Sequence, residues 1–156
     1  MNKIDKIKLE LGYVVLLSQL IESHLSSILL VLNNTDSLSI TDTELQSQHK
    51  KLSRKTLGIL SKLLINSKKI SDPKKTLDAI EDCRVERNFL IHELSSCHEY
   101  DFSTESGRHK VLERIYKGKD KILIGTIIVQ NLMEKLVAAS GGNIDAMKSE
   151  ARESFE

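Results

Sequence analysis

Three side chains within one short run, Arg87-Asn88-Phe89-Leu90-Ile91-His92, carry groups able to act on a common ligand: Arg87, Asn88 and His92. A guanidinium is a planar, permanently charged donor suited to oxyanions. An imidazole changes charge near neutral pH and moves protons. On a helix turning about 100° per residue, Ile80, Cys83, Leu90, Ile91 and Leu94 form the core face. Val85 and Phe89, four apart, form a second apolar stripe. Asn88, Glu81 and His92 lie between the two stripes. Arg87 points into the core face, where an unpaired guanidinium would be expensive. A polar groove between two apolar stripes is the pattern of a helix at a subunit interface. The plainer alternative is a helix with an isolated histidine and a snorkelling arginine.

The elements that must position this run follow from periodicity. Asn2–Leu32 predicts one long helix, with the apolar stripe Ile4, Ile7, Leu11, Val14, Ile21, Leu25, Ile28 and Leu32 broken only by Ser18. A second stripe on it, Leu9, Tyr13, Leu16, Leu20 and Val31, requires a partner on another side. Thr41-x-x-Glu44 is a capping box opening a short second helix. Arg54–Ile65 predicts a third, in which Gly58 would permit a close crossing. Ser71-Asp72-Pro73 starts the helix of the motif, which runs to about Ser96. Ser103–His109 reads as loop. Residues 111–124 admit either a small β-hairpin about Lys117-Gly118-Lys119-Asp120 or a continuous helix, and their β-branched residues favour the hairpin. Thr126–Ser140 closes the core as an amphipathic helix stopped by Gly141-Gly142. The fold class is therefore all-α, one domain over residues 1–140 and a tail over 141–156.

Arg87-Asn88-x-x-x-His92 resembles the R-N-x-x-x-H motif of the HEPN superfamily. The long first helix with Gln19-x-x-Glu22, the Leu57-Gly58 helix and the late position of the motif are similar too. The resemblance implies an up-and-down helical bundle, usually a homodimer, and a metal-independent endoribonuclease of toxin or antiviral-defence type. It implies that Arg87 contacts the scissile phosphate, that His92 transfers a proton, and that Asn88 orients His92 or holds a phosphate oxygen. The nucleophile would be the RNA's own 2′-OH. Arg87 and His92 stand about 140° apart on a regular helix, so a composite site drawing on both protomers is expected, with residues 84–93 near the two-fold axis. A cognate antitoxin or defence-system protein is a further partner of such a domain. The alternative within the family is a catalytically silent dimer serving as a binding or regulatory module. Leu94 occupies the place of a tyrosine that one toxin branch modifies, so that control is not supported. Outside the family, a generic helical-bundle interaction protein would carry the run by coincidence.

Two neighbours support the motif. Glu22 shares a strip with Val15, Ser18, Leu25 and Leu29, where a carboxylate is expected to be paired with Arg87 or Arg84, or to sit half-exposed at the strip's edge. Arg84 lies near the groove, able to add a phosphate contact, with Glu81 and Glu86 as salt-bridge partners.

Composition sets the outer limits. The 156 residues carry a formal charge of +1, 40% hydrophobic residues, 7 Gly and 1 Pro, which exclude disorder and collagen-like chains. Residues 50–75 hold nine Lys or Arg against Asp72 alone, a local +8, leaving −7 for the other 130 residues. Lys50, Lys51, Arg54, Lys55 and Lys62 in this block are candidate RNA phosphate contacts, with a solvated lysine-rich face as the alternative. Cys83 and Cys97 read as small buried residues of a reducing compartment. His24, His49, His98 and His109 have no metal-ligand spacing, and neither a metal nor a cofactor is expected. Leu11–Leu32 is apolar, but Glu22 at its centre would be costly in a bilayer. The reading is a soluble cytoplasmic protein without a membrane segment.

Overall fold

The computed structural model describes residues 2–34, 41–67 and 73–139. Among them are five helices: α1 (Lys3–Asn34), α2 (Asp42–Leu52), α3 (Leu57–Ser67), α4 (Pro73–Asn88) and α5 (Glu105–Ala139). A π-helical turn, Phe89–Glu93, continues α4. The protein is all-helical among the described residues, and the expected tail over 141–156 lies outside them.

The first stripe of α1 is the spine of the core. Ile7, Val14, Ile21, Leu25, Ile28 and Leu32 are buried, and so is Ser18, whose hydroxyl donates to Val14 O at 2.7 Å. That back-bond lets a polar residue occupy the apolar face without losing a partner. At the start of α2 the Thr41–Glu44 capping box forms reciprocally.

The hairpin does not form. Residues 105–139 are one helix, and Ser103–His109 contains its start: Thr104 Oγ1 accepts from Gly107 N at 3.1 Å as the cap. Val111, Ile115, Gly118, Ile122, Gly125 and Val129, three or four residues apart, are all buried. This helical period overrides the strand preference of the β-branched residues.

Gly118 is thus a crossing point, not a turn residue. A Cβ there would stand 2.8 Å from Leu90 Cδ1 and 3.0 Å from Glu86 Oε2; at Gly125 it would stand 2.0 Å from Cys83 Sγ. Two glycines seven apart let α4 lie directly on α5. Their partners fall in reverse order along α4, so the two helices are antiparallel. By contrast α1 and α5 run parallel, since Lys3 pairs with Glu105 and Glu10 with Lys119. A Cβ at Gly58 of α3 would stand 3.4 Å from Arg84 Cδ, an ordinary contact, so close approach is not what that glycine provides.

Both α1 and α5 are long and apolar enough to cross a membrane. The carboxylate inside the apolar part of α1 is used within the bundle: Glu22 Oε1 accepts from Leu57 N at 2.9 Å.

Gly125→Ala should destabilise the protein by about 1–3 kcal/mol through overpacking. The double variant Gly125→Ala/Cys83→Ala should regain part of that loss, because the atom in conflict is Cys83 Sγ. Thermal unfolding of the three proteins checks this; equal stability of the double and the single glycine variant would contradict the crossing.

Candidate functional site

α4 is a regular helix until Asn88. There the backbone widens: Leu94 N donates to Phe89 O at 2.8 Å, an i to i+5 bond in place of i to i+4. The widened turn brings residues five apart onto the same side. Arg87 Nη1 stands 3.2 Å from His92 Nε2 and 3.1 Å from Asn88 Oδ1. The expectation that one helix keeps Arg87 and His92 about 140° apart is therefore corrected, because it assumed a regular helix. Both groups meet within a single chain, and a second protomer is not needed to join them.

The protonation pattern of the contact follows from chemistry. Arginine has donors and no acceptor. The contact thus requires Nε2 to be the unprotonated nitrogen of a neutral imidazole, with the proton on Nδ1. Arg87 and Asn88 are half-buried and His92 is exposed. Arg87 Nε is buried and has no hydrogen-bond partner among the described residues.

A buried carboxylate anchors the helix ahead of this turn. Glu86, 6% exposed, accepts from Arg114 Nη2 and Lys121 Nζ, both at 2.7 Å and both on α5. Burial alone would raise its pKa, but the hydrogen bonds from Lys121 and Arg114 outweigh it and hold the carboxyl below the ordinary 4.5. The Arg114 guanidinium also lies 4.2 Å from the centroid of Phe89, the first residue of the π turn. Tyr100 meets the same ring edge-on at 6.2 Å. Leu90 and Leu94 are buried, Leu90 against Gly118. Sequence reasoning assigned Glu86 to Arg84 and missed this network, whose signal was the run of cations on a continuous α5.

Other expectations sort as follows. Glu22 pairs with neither Arg84 nor Arg87; it is half-buried and caps the start of α3 through Leu57 N, a favourable place for a carboxylate. Arg84 is held two-pronged by Glu81, as expected for that pair. The second apolar stripe of α4 divides: Phe89 is covered within the chain by Arg114 and Tyr100, while Val85 is exposed. Cys83 is buried, and burial pushes its thiol up to about 12, so it is no nucleophile. Cys97 is only partly buried.

Of the basic block, Lys50, Lys51, Arg54 and Lys62 are exposed and Lys55 is half-buried; Lys68 and Lys69 lie outside the described residues. Lys62 and Arg84 line one groove between α3 and α4, about 530 Å³, with Thr56, Ser61, Ile59 and Ile65. Lys62 of the block thus stands beside the motif helix, and Lys74 and Lys75, both exposed, lie in its first turn. Among the described residues no three His, Cys, Asp or Glu side chains gather to hold a metal ion.

Compared with protein-family models, curated proteins and solved structures, the chain matches none.

Glu86→Gln should cost about 3 kcal/mol, the lower part of the range for breaking a buried ion pair, because Lys121 is partly solvated. The folded-state pKa of Glu86 lies below 4.5, so its contribution is full above that pH and is lost as pH falls through the folded value. Acid unfolding should therefore be shallower for Glu86→Gln than for wild type. Identical acid limbs would contradict the network.

Proposed function

We propose that the protein is a metal-independent endoribonuclease of HEPN type, with Arg87 and His92 of each protomer acting as a pair. The 3.2 Å approach of Arg87 Nη1 to His92 Nε2 carries this reading. A phosphate oxygen that docks on the guanidinium takes the place of its contact with the imidazole. It arrives next to a nitrogen that holds a lone pair and is ready to accept a proton.

The chemistry balances with these groups. His92 Nε2 takes the proton of the ribose 2′-OH. The 2′-oxygen bonds to phosphorus as the bond from phosphorus to the 5′-oxygen breaks, and the 5′-oxygen leaves as a hydroxyl with a proton from solvent. The remaining end is a 2′,3′-cyclic phosphate. Arg87 stabilises the charge that grows on the non-bridging oxygens. Asn88, bonded to Arg87, positions the guanidinium. Because the attacking group is the 2′-OH, RNA is cut and DNA is not. Phosphates on either side of the cut are met by Lys62 and Arg84 in the groove and by Lys50, Lys51, Arg54 and Lys55. Glu22 supports the site through α3. The cytoplasmic toxin or antiviral-defence setting, and a cognate antitoxin or defence protein as partner, belong to the same proposal through the motif's resemblance.

His92→Ala and Arg87→Ala should each lower RNA cleavage by about 10²–10⁴-fold, and the double variant should be about as inactive as either. Arg87→Lys should fail as well, since a point-charge ammonium lacks the two-pronged geometry. Asn88→Ala should be milder. Cleavage should persist in EDTA and leave cyclic phosphate ends. Replacing Lys50, Lys51 and Lys62 should weaken binding to all RNA sequences alike and flatten its salt dependence. If wild type cuts no RNA, or if His92→Ala cuts as well as wild type, the silent binding module takes the place of the enzyme.

A further inference from the structure

A carboxylate stands in the groove between α3 and α4, among the cations assigned to phosphates. Glu81 lines that groove with Lys62 and Arg84, and Ile59 and Ile65, 46% and 49% exposed, give it apolar surface. A carboxylate repels phosphates. It does little there for stability either, since Glu81 and Arg84 are 54% and 36% exposed and exposed ion pairs contribute little. What distinguishes the pair is its geometry. Arg84 Nε and Nη2 donate to the two oxygens of Glu81 at 2.8 Å and 2.5 Å, a two-pronged contact from one planar group. The bonds from Arg84, and after them the charges of Arg84 and Lys62, hold the Glu81 carboxyl below the ordinary 4.5 against desolvation. At neutral pH it is ionised and only accepts.

We infer that Glu81 reads a guanine base of the RNA strand, which takes the place of Arg84 on the carboxylate; this rests on the RNA-binding role proposed above. The pairing edge of guanine carries N1–H and the N2 amino group on one carbon. That edge is a guanidine unit, with the same two-donor fork that Arg84 presents. No other RNA base has two adjacent donors there. Adenine and cytosine set one amino group beside a bare ring nitrogen, and uracil sets one N–H between two carbonyls. Each would turn a lone pair toward the carboxylate. Contacts to the pairing edges of splayed-out bases are how single-stranded RNA is read. The exchange gives up only an exposed ion pair, and it frees the Arg84 guanidinium for a phosphate oxygen. Ile59 and Ile65 offer the apolar contact that the face of a base uses and a phosphate does not. The groove, about 530 Å³, is of the size of small-molecule sites. Its position fits too. Glu81, Arg84 and Asn88 follow one another at three and four residues, so they form one strip of α4. Asn88, at the end of that strip, bonds Arg87. Glu81 and Arg87 are about 9 Å apart along the helix axis, a span that one purine nucleotide bridges from phosphate to pairing edge.

The test is the binding of short 2′-O-methyl strands to the full chain, followed by fluorescence anisotropy. These strands lack the attacking hydroxyl and cannot be cut. A uridine strand with one central guanosine should bind about tenfold more tightly than the same strand with inosine, which lacks the N2 amino group, and more tightly still than the strand with adenosine. Glu81→Gln should remove that preference with unchanged circular dichroism, because the side chain is exposed. Arg84→Ala should weaken binding of every strand yet keep or enlarge the preference for guanosine, since it removes the competitor for Glu81. Loss of the preference in both variants would make the pair merely structural and overturn the proposal. Equal binding of the guanosine, inosine and adenosine strands would overturn it as well. Free guanosine monophosphate should bind roughly tenfold or more weaker than the guanosine strand, for want of flanking phosphates; equal affinity would assign the groove to a free nucleotide instead. No cleavage is measured, so strands that bind without preference sink this proposal alone, whereas strands that do not bind at all sink the RNA-binding role with it.

Discussion

In a regular helix the amide of Leu94 would bond Leu90 O; here it bonds Phe89 O instead. The placement of the candidate groups depends on that one-residue offset. Without it, Arg87 and His92 would diverge around the helix, and neither could share a ligand atom with the other. The offset is held from both ends. Leu90 and Leu94 are committed to the core, and Phe89 is clamped between Arg114 and Tyr100. Glu86, just ahead, is tied by two cations of α5. π turns of this kind occur often where a helix presents functional groups, because a widened turn re-aims side chains while the flanking helix stays packed.

The same helix pair explains why α5 has the composition it has. Gly118 and Gly125 give α4 its close seat, and Arg114 and Lys121 supply the charge that Glu86 needs when buried. A buried ion pair is weak evidence for stability as such, since a hydrophobic replacement could serve as well. What it fixes is register: Glu86 between two particular cations sets where α4 stands along α5, and with it the position of the turn.

Much of this was legible in the sequence. The α1 stripe, the Thr41–Glu44 box, the core face of α4 and the partial burial of Arg87 all follow from periodicity and capping chemistry. The helix from Thr126 onward follows from its spacing, but over 111–124 the Ile and Val residues favour a hairpin locally while their spacing favours the continuous helix that forms, and tertiary packing decides in favour of spacing. Gly118 looked like a turn residue because its role is steric and lies in another element. Glu86 meets cations of α5 in place of Arg84, and Glu22 keeps to the half-exposed edge of its strip while accepting from Leu57 N, because partner choice depends on which helices touch. The π turn left no mark in the sequence. It has no Gly or Pro, and it arises from anchors at Phe89, Leu90 and Leu94 that only the folded chain provides.

The contact between Arg87 and His92 can be observed without any substrate. Side-chain nitrogen NMR of the histidines, at a pH where imidazole is neutral, reports which ring nitrogen carries the proton. The expected spectrum shows His92 with its proton on Nδ1 and a bare Nε2, and Arg87→Ala shifts it toward the Nε2–H form. A wild-type His92 that already carries its proton on Nε2, unaffected by Arg87→Ala, would contradict the pairing.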